Sequence, residues 1–492
     1  MNLWKASYVA MRGAARTGQR ISDDAGSSFR GRQAQRLPRR VAQRGYLIPG
    51  DQAPPPGYDL PDFRGLADSS RVRSSDGSAA VSLGRAIDLD SGIAGAPVWA
   101  GMRQFFQHAA VVAPPGSGKT YGVIAPWTVR LLRAGATVVV LDVTGALRDQ
   151  LRDFASSTAG PASATVRTIE WTLHPRRSSK SWNPLAGVRP DDLVAIEGLK
   201  SAIAGDEPPD PRHRDFHDRD LRTLGTILRA ALASGSPTLA DIAEAMSDQA
   251  AFDRVMQSSG RASLDWDELR ESWTLRNKLE VFAEPTARAR TGSSDFTIDN
   301  ITDHHTLAII GAELELKASS QAASALFINR LIGHLQSRYT SASPRPVILM
   351  IDEAPVVAKR IDLPAILATA RATSTGVVLA CQNVTQFGGE AEQSTVFDAC
   401  DMMVLLPGAS EPSIRLFQGR LGQRDVDRVS LGSDLGRSNR VARVDHSSER
   451  VAMVGDRELL QPPFGRHPAI IHARSMHAQP FAVELDRSPQ AG

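Results

Sequence analysis

The ten residues Val111 to Thr120, VVAPPGSGKT, bring together the residue types that wrap a phosphate chain. Gly116 and Gly118 leave the backbone free to curl around an anion, with Pro115 and Ser117 completing the turn. Lys119 is spaced to reach the β and γ phosphates of a nucleoside triphosphate, and Thr120 to offer its hydroxyl to Mg2+. A helix opening near Gly118 would aim its N-terminal amides and its dipole at the same phosphates. The usual pattern begins with glycine where this chain has Ala113. That position is the strand exit and need not touch phosphate, so no contact group is lost. A second stretch, PVILMIDEAP, ends an apolar strand in Asp352 and Glu353. Charge at the end of a buried strand is costly unless compensated. Asp352 would hold the Mg2+ shell and Glu353 would polarise an attacking water, so the two motifs together predict a site for a nucleoside triphosphate and Mg2+.

These residues need a scaffold that presents strand ends side by side. From about residue 80 to 190, β-rich runs (HAAVVA, ATVVVLDV, ATVRTIEW) alternate with helical segments, and strand-like runs return after 305 as TLAIIG, PVILMID, GVVLACQ and MMVLLP. That alternation predicts an α/β fold with a parallel, doubly wound sheet. Between about 190 and 300 the period turns helical. Leu221, Leu224, Leu228 and Ala231 form an apolar stripe that stops at Gly235, and Thr238 with Asp241 reads as a helix cap. An all-α block, 191–300, is therefore expected to interrupt one nucleotide-binding domain made of 81–190 and 301–480, with a tail at 481–492.

Residues 1–80 are rich in Arg, Pro, Gly and Ser and read as an arm and linker. The first 50 hold Lys5 and nine arginines against Asp23 and Asp24, although the whole chain carries only +3. Such an arm suits phosphate or an acidic partner, or is simply a solvated tail. With 492 residues, 42% hydrophobic and 23% charged, the chain has the composition of a soluble globular protein of two or three domains. No apolar run approaches a membrane span or a signal peptide, so a cytoplasmic protein is expected. Cys381 and Cys400 show no paired spacing, which excludes a disulfide framework or a zinc site and leaves two ordinary thiols. His304-His305 and the run Arg212 to Asp220 lack ligand spacing and read as charged loop and helix entry. Trp182 reads as packing rather than base stacking.

With its motifs placed, the chain resembles the TraG-like type IV secretion coupling proteins, conjugative DNA-transfer ATPases of the RecA/HerA-FtsK-like P-loop superfamily. The resemblance runs from about 80 to 480 and is carried by GSGKTYGVIAPWTVRLL, VVVLDVTGAL, SWNPL, SSDFTIDNI, and MIDEAP followed by ATARATSTGVVLACQNVTQF. It implies a RecA-like domain with an all-α insert, assembly into hexamers around single- or double-stranded DNA, and an ATP site completed by a neighbour. It places Arg371 at the position of the arginine finger and Gln382 at that of a γ-phosphate sensor. It also implies a relaxase or other secreted substrate and type IV secretion channel components as partners. Two departures stand out. The Asp-Pro-Lys-Gly-Glu pattern at the end of the strand after the loop is Asp142-Val143-Thr144-Gly145-Ala146 here, and the N-terminal membrane helices usual in the family have no counterpart, so either a membrane-anchoring partner holds the chain at the inner face of the membrane or it is a soluble relative working elsewhere. The expected function is an ATP-driven DNA-translocating motor. The alternatives are a soluble HerA/FtsK-like pump in genome maintenance or mobile-element defence, and a nucleotide-controlled recruitment platform without motor activity.

Overall fold

A computed structural model describes residues 79–485 except 88–93, 146, 152–165, 206–210, 260–263, 341–343, 359, 434–440, 453, 456–458, 460–466 and 477–479. The basic arm and most of the tail lie outside the described residues. Among the described residues eleven strands form one sheet, β1 (Ala80–Ile87), β2 (Ala94–Gly101), β3 (Ala109–Val112), β4 (Thr137–Asp142), β5 (Arg167–Trp171), β6 (Thr306–Gly311), β7 (Val347–Ile351), β8 (Thr375–Cys381), β9 (Met402–Leu405), β12 (Pro468–Ala473) and β13 (Phe481–Glu484). Between the last two of these and β9, strands β10 (Gln423–Ser433) and β11 (Val441–Ala452) pair as a separate antiparallel ribbon.

The order across the sheet is β2-β1-β13-β12-β9-β3-β8-β7-β4-β6-β5. The seven strands from β9 to β5 are parallel. The fold is therefore mixed α/β with a large, mostly parallel sheet. Its parallel half is built from runs such as VILMI in β7 and TGVVLAC in β8, every residue of which is buried. Such strands are covered on both faces, and the side-chain alternation shows it. Ile348 and Met350 pack with Trp127 and Leu131 of the helix Ala125–Arg133, whereas Leu349 and Ile351 pack with Leu326, Phe327 and Leu331 of the helix Lys317–Ser337. The two cysteines are buried free thiols, and burial pushes each to about 12.

The four strands β12, β13, β1 and β2 extend the sheet antiparallel. The parallel sheet expected from the sequence is present, and these four strands, which come from the two ends of the described residues, are added to it. Their sequences, AVSLGRAI and AGAPVWAG among them, carry too much Gly, Ala and Pro to announce themselves as strands.

Between β5 and β6 the chain is helical, from Leu193–Ala204 through Arg214–Ala233, Leu239–Ala245 and Gln249–Ser259 to Pro285–Thr291 and Ile298–Thr302. Leu224, Leu228 and Ala231 are buried along the face of Arg214–Ala233. Thr238 and Asp241 form a reciprocal capping box at the start of Leu239–Ala245.

SWNPL and SSDFTIDNI, more than a hundred residues apart in sequence, meet where this block joins the sheet domain. The Ser181 amide and hydroxyl donate to Asp295 Oδ2 at 2.8 and 2.9 Å, and the Asp295 amide donates back to the Ser181 carbonyl at 2.9 Å. The Asn183 amide reaches Ser294 Oγ at 3.0 Å, and the Asn183 side chain donates to the Pro237 carbonyl at 3.0 Å. Trp182 packs edge-on against Trp171 and Phe327 at 5.2 Å, a core role. The two bonds from Ser181 hold the Asp295 carboxyl below its ordinary value. A depressed carboxyl stabilises the fold above its unfolded pKa, about 3.9, and loses that contribution as pH falls through the lower folded value. Asp295→Ala should therefore speed hydrogen exchange at the Ser181 and Asn183 amides while the β7 and β8 amides stay protected. The wild type should show the same loosening only below about pH 4.

Candidate nucleotide site

The loop from Ala113 to Thr120 leaves the C-terminal end of β3 and enters a helical segment at once. Ala113 is fully buried and its amide donates to the Cys381 carbonyl at 3.0 Å, extending the β3–β8 pairing by one residue. The absent glycine is thus replaced at a strand position, away from the turn. The turn itself requires glycine: Gly116 has φ +74° and Gly118 φ +91°, left-handed values that residues with a Cβ rarely adopt. Ser117 closes it, its hydroxyl donating to the Pro114 carbonyl at 2.7 Å. Pro115 and Gly116 are exposed at the mouth of the loop. The first helical turn, Thr120–Ile124, is π-helical before the α-helix Ala125–Arg133 begins, a local widening that often marks functional sites.

Lys119 turns inward and is 8% exposed. Its Nζ lies 3.1 Å from Asp352 Oδ1 and pairs closely with Glu353 Oε1. Glu353 Oε1 also accepts from Gln382 Nε2 at 3.0 Å. Strand order explains the meeting. β8 lies between β3 and β7, so the residue after β8, Gln382, stands between the loop that follows β3 and the carboxylates that follow β7. Glu353 has φ +62°, a strained conformation for a non-glycine residue and of a kind that collects at functional sites.

Burial pushes the Asp352 carboxyl above its ordinary value, and Glu353 adds to the rise, while Lys119 and the Thr120 hydroxyl pull it down. Asp352 Oδ1 is buried and, despite the nearby ammonium, makes no well-directed hydrogen bond. Two carboxylates around one lysine, one oxygen lacking a directed donor and a threonine hydroxyl alongside form an oxygen-rich set suited to a hard divalent cation. The residues present therefore fit Mg2+ with the phosphates of a nucleotide.

A third carboxylate sits next to this pair. Asp142 ends β4, is 1% exposed, and accepts from the Gly145 amide at 2.7 Å and the Arg148 amide at 2.8 Å. Burial pushes it up, with these bonds and Arg177 acting against the rise. Beyond it Arg148 pairs with Glu170, and Arg177 lies 3.7 Å from Glu313, whose carboxylate also accepts from Thr172 Oγ1 at 2.7 Å. A Cβ on Gly145 would fall 1.9 Å from the Arg177 guanidinium. The cation beside the glycine of the altered Asp142 to Ala146 stretch thus comes from a distant loop. Arg177 and Glu313 were not recognisable in the sequence, because neither belongs to a local pattern.

Arg371 is not part of this cluster. It is exposed and begins the single turn Arg371–Thr373 that precedes β8. Gln382 follows the same strand. The seven residues of β8, at about 3.3 Å each, put roughly 23 Å between them. Pro115, Gly116, Ser117, Gly118, Lys119, Thr120, Asp352, Glu353 and Gln382 gather at the C-terminal ends of the central parallel strands, and Arg371 stands at their N-terminal end.

The fold and this arrangement define a P-loop nucleotide-binding protein of RecA type. The sequence matches the family described as type IV secretory system conjugative DNA transfer over residues 84–258 and 272–462, and the chain belongs to that family. No curated protein sequence matches it. Among solved structures, it is similar to the bacterial conjugative coupling protein TrwBdeltaN70 in its unbound form, with 17% identity, TM-score 0.60, and coverage of 80% of this chain and 87% of that one. It is similar to the plasmid coupling protein TrwB in complex with a non-hydrolysable ATP analogue, with 14% identity, TM-score 0.60, and coverage of 89% and 97%. VirB4 of Thermoanaerobacter pseudethanolicus aligns with 14% identity, TM-score 0.51, and coverage of 84% and 98%. At these identities the likeness is one of fold. Among the described residues no helix is long and apolar enough to cross a membrane, and no group of His, Cys, Asp and Glu forms a further metal site.

Proposed function

We propose that the chain is an ATP-driven motor that translocates DNA, working as a homo-hexamer whose ATP sites lie between subunits, and that it feeds DNA or a relaxase-bound substrate to a type IV secretion channel. Membership of the conjugative DNA transfer family supports the substrate. TrwB, which shares the fold, has been captured with ADP and Mg2+ and with an ATP analogue. The observation that carries the reading is the convergence of Lys119, Asp352, Glu353 and Gln382 at the end of the glycine loop, with Arg371 exposed at the opposite end of β8.

In this reading Lys119 leaves Glu353 for the β and γ phosphates when ATP enters. Glu353, still held by Gln382, is then free to orient a water on the γ phosphate. Mg2+, held by Thr120 and Asp352, would neutralise charge developing on the phosphate oxygens. Arg371 of one subunit reaches the γ phosphate bound by the next, because its own loop is a full sheet height away. The basic arm offers a surface for DNA or an acidic partner, and a membrane-anchoring partner would hold the otherwise cytoplasmic ring at the channel.

Translocation is tested with DNA carrying biotin at one end and bound by streptavidin. The protein should strip the streptavidin in an ATP-dependent way, and the Glu353→Gln variant should not. ATP hydrolysis with no displacement on any DNA form would support a recruitment role without motor activity instead.

A further inference from the structure

We propose that His108 is a positioning residue that ties the phosphate-loop strand to the mount of Arg371, so that the state of one ATP site is felt at the arginine serving the next. The proposal rests on the reading of Arg371 as a residue supplied to the neighbouring subunit.

His108 joins the short helix Met102–Phe105 to β3, is 2% exposed, and has φ +65°. A left-handed conformation at a buried non-glycine residue persists only where its surroundings enforce it. Here they do so from four sides. The His108 amide donates to the Phe105 carbonyl at 3.1 Å, and its carbonyl accepts from the Met402 amide at the start of β9 at 3.2 Å. Its ring Nδ1 accepts from the Val377 amide of β8 at 3.1 Å, and Nε2 faces the Leu367 carbonyl at 2.7 Å. A backbone amide only donates, so Nδ1 presents a lone pair and Nε2 carries the proton. The ring is therefore neutral and in one tautomer. Burial and the nearby Arg371 both disfavour its protonation.

Leu367 lies in the last turn of the helix Leu363–Ala370, which ends at Arg371. Carbonyls in a last turn lack partners within their helix, and the His108 N–H binds one of them. Thr373 Oγ1 donates to another, the Ala370 carbonyl, at 2.8 Å. Ser374, with φ +56°, then turns the chain into β8. Arg371 thus projects from a turn pinned on both sides. Gly376 brings the supports close, since a Cβ there would lie 2.4 Å from the Phe105 carbonyl. At its other end β3 runs directly into the phosphate loop. Four residues of buried strand separate the residue that grips the Arg371 mount from the loop. A shift of β3 when phosphate binds would reach the turn that carries Arg371 through the His108 side chain, alongside the backbone pairing of β3 with β8.

The test uses mixed assemblies of full-length chains. A Lys119→Ala chain has a dead loop and can only donate Arg371, and an Arg371→Ala chain can only supply a working loop. Their mixture sets the reference rate of recovered ATP turnover. The proposal expects that adding His108→Asn to the Lys119→Ala chain lowers the recovered turnover on the order of 10²-fold, the scale of a misplaced catalytic group, although the loop being used sits in the other chain. Asn tolerates left-handed φ but is too short to reach Leu367. His108→Gln, whose amide extends to the Nε2 position, should restore most of the loss. Unchanged turnover with His108→Asn, in mixtures shown by mass to co-assemble, would overturn the proposal and confine His108 to its own subunit. Loss that His108→Gln fails to restore would also count against it. Absence of recovery in the reference mixture itself would remove the Arg371 reading, and this proposal with it. Should the His108→Asn chain fail to assemble, His108→Gly, which also tolerates left-handed φ, carries the test in the otherwise wild-type protein: lowered kcat at an intact KM for ATP, as for Arg371→Ala, supports the positioning role, and unchanged kcat or a loss of nucleotide affinity overturns it.

Discussion

Lys119→Ala should reduce ATP hydrolysis by at least about 10³-fold, the effect of removing a preorganised charge from the site where transition-state charge develops. Lys119 is the cation at the centre of the loop edge, 3.1 Å from Asp352 and paired with Glu353. Lys119 is buried, so the alanine variant leaves two neighbouring carboxylates without their cation. A loss on the order of 1–3 kcal/mol of stability should accompany the loss of activity. The fold should survive, since an unpaired carboxylate can take up a proton instead of staying charged. Thermal unfolding at several pH values separates the two effects, with the destabilisation growing as pH rises and Asp352, whose carboxyl burial pushes up, ionises. Glu353→Gln is the complementary variant. It keeps the shape and the contact with Gln382 but cannot orient a water as a base, and it weakens the hold on Lys119, so it should bind ATP and stall. Near wild-type turnover in either variant would show the site to be elsewhere.

Arg371→Ala should bind ATP normally yet turn it over about 10³-fold or more slowly, as expected for a finger that acts only on the transition state. The structure supplies the reason for expecting a neighbour to be involved, since one strand length separates Arg371 from its own Gln382. Arg371 and the loop stand at opposite ends of the same central strands. Mixing Arg371→Ala with Lys119→Ala creates interfaces in which an intact loop meets an intact arginine, while neither pure variant has any. Recovered turnover on mixing is the expected result. No recovery in mixtures that co-assemble would return Arg371 to the role of a solvated turn residue.

Parts of this arrangement were legible in the sequence for identifiable physical reasons. The strands that build the site are buried on both faces, so they appear as unbroken runs such as VILMI and GVVLAC, and the glycines of the loop appear because the turn admits little else. The capping box at Thr238 and Asp241 is a local pattern and was readable as one. The antiparallel edge was not, because β1, β2, β12 and β13 are short or rich in small residues and find their partners across the length of the chain. Strand order is likewise absent from the sequence, although it decides that Gln382 reaches Glu353 beside Lys119 and that Arg371 does not. Arg177 beside Gly145 and His108 against Leu367 are both single residues acting over long separations. A lone arginine in a loop or a lone histidine before a strand gives no signal until the chain is folded.

The most direct measurement of the central claim is the ATP turnover of the purified chain with no DNA, with single-stranded DNA and with double-stranded DNA, recorded alongside its mass in solution. The account predicts that at least one form of DNA raises the rate and that the active species has a mass several times the 52.9 kDa of one chain, approaching that of six. A rate indifferent to DNA, from a species that stays monomeric under the same conditions, would contradict it.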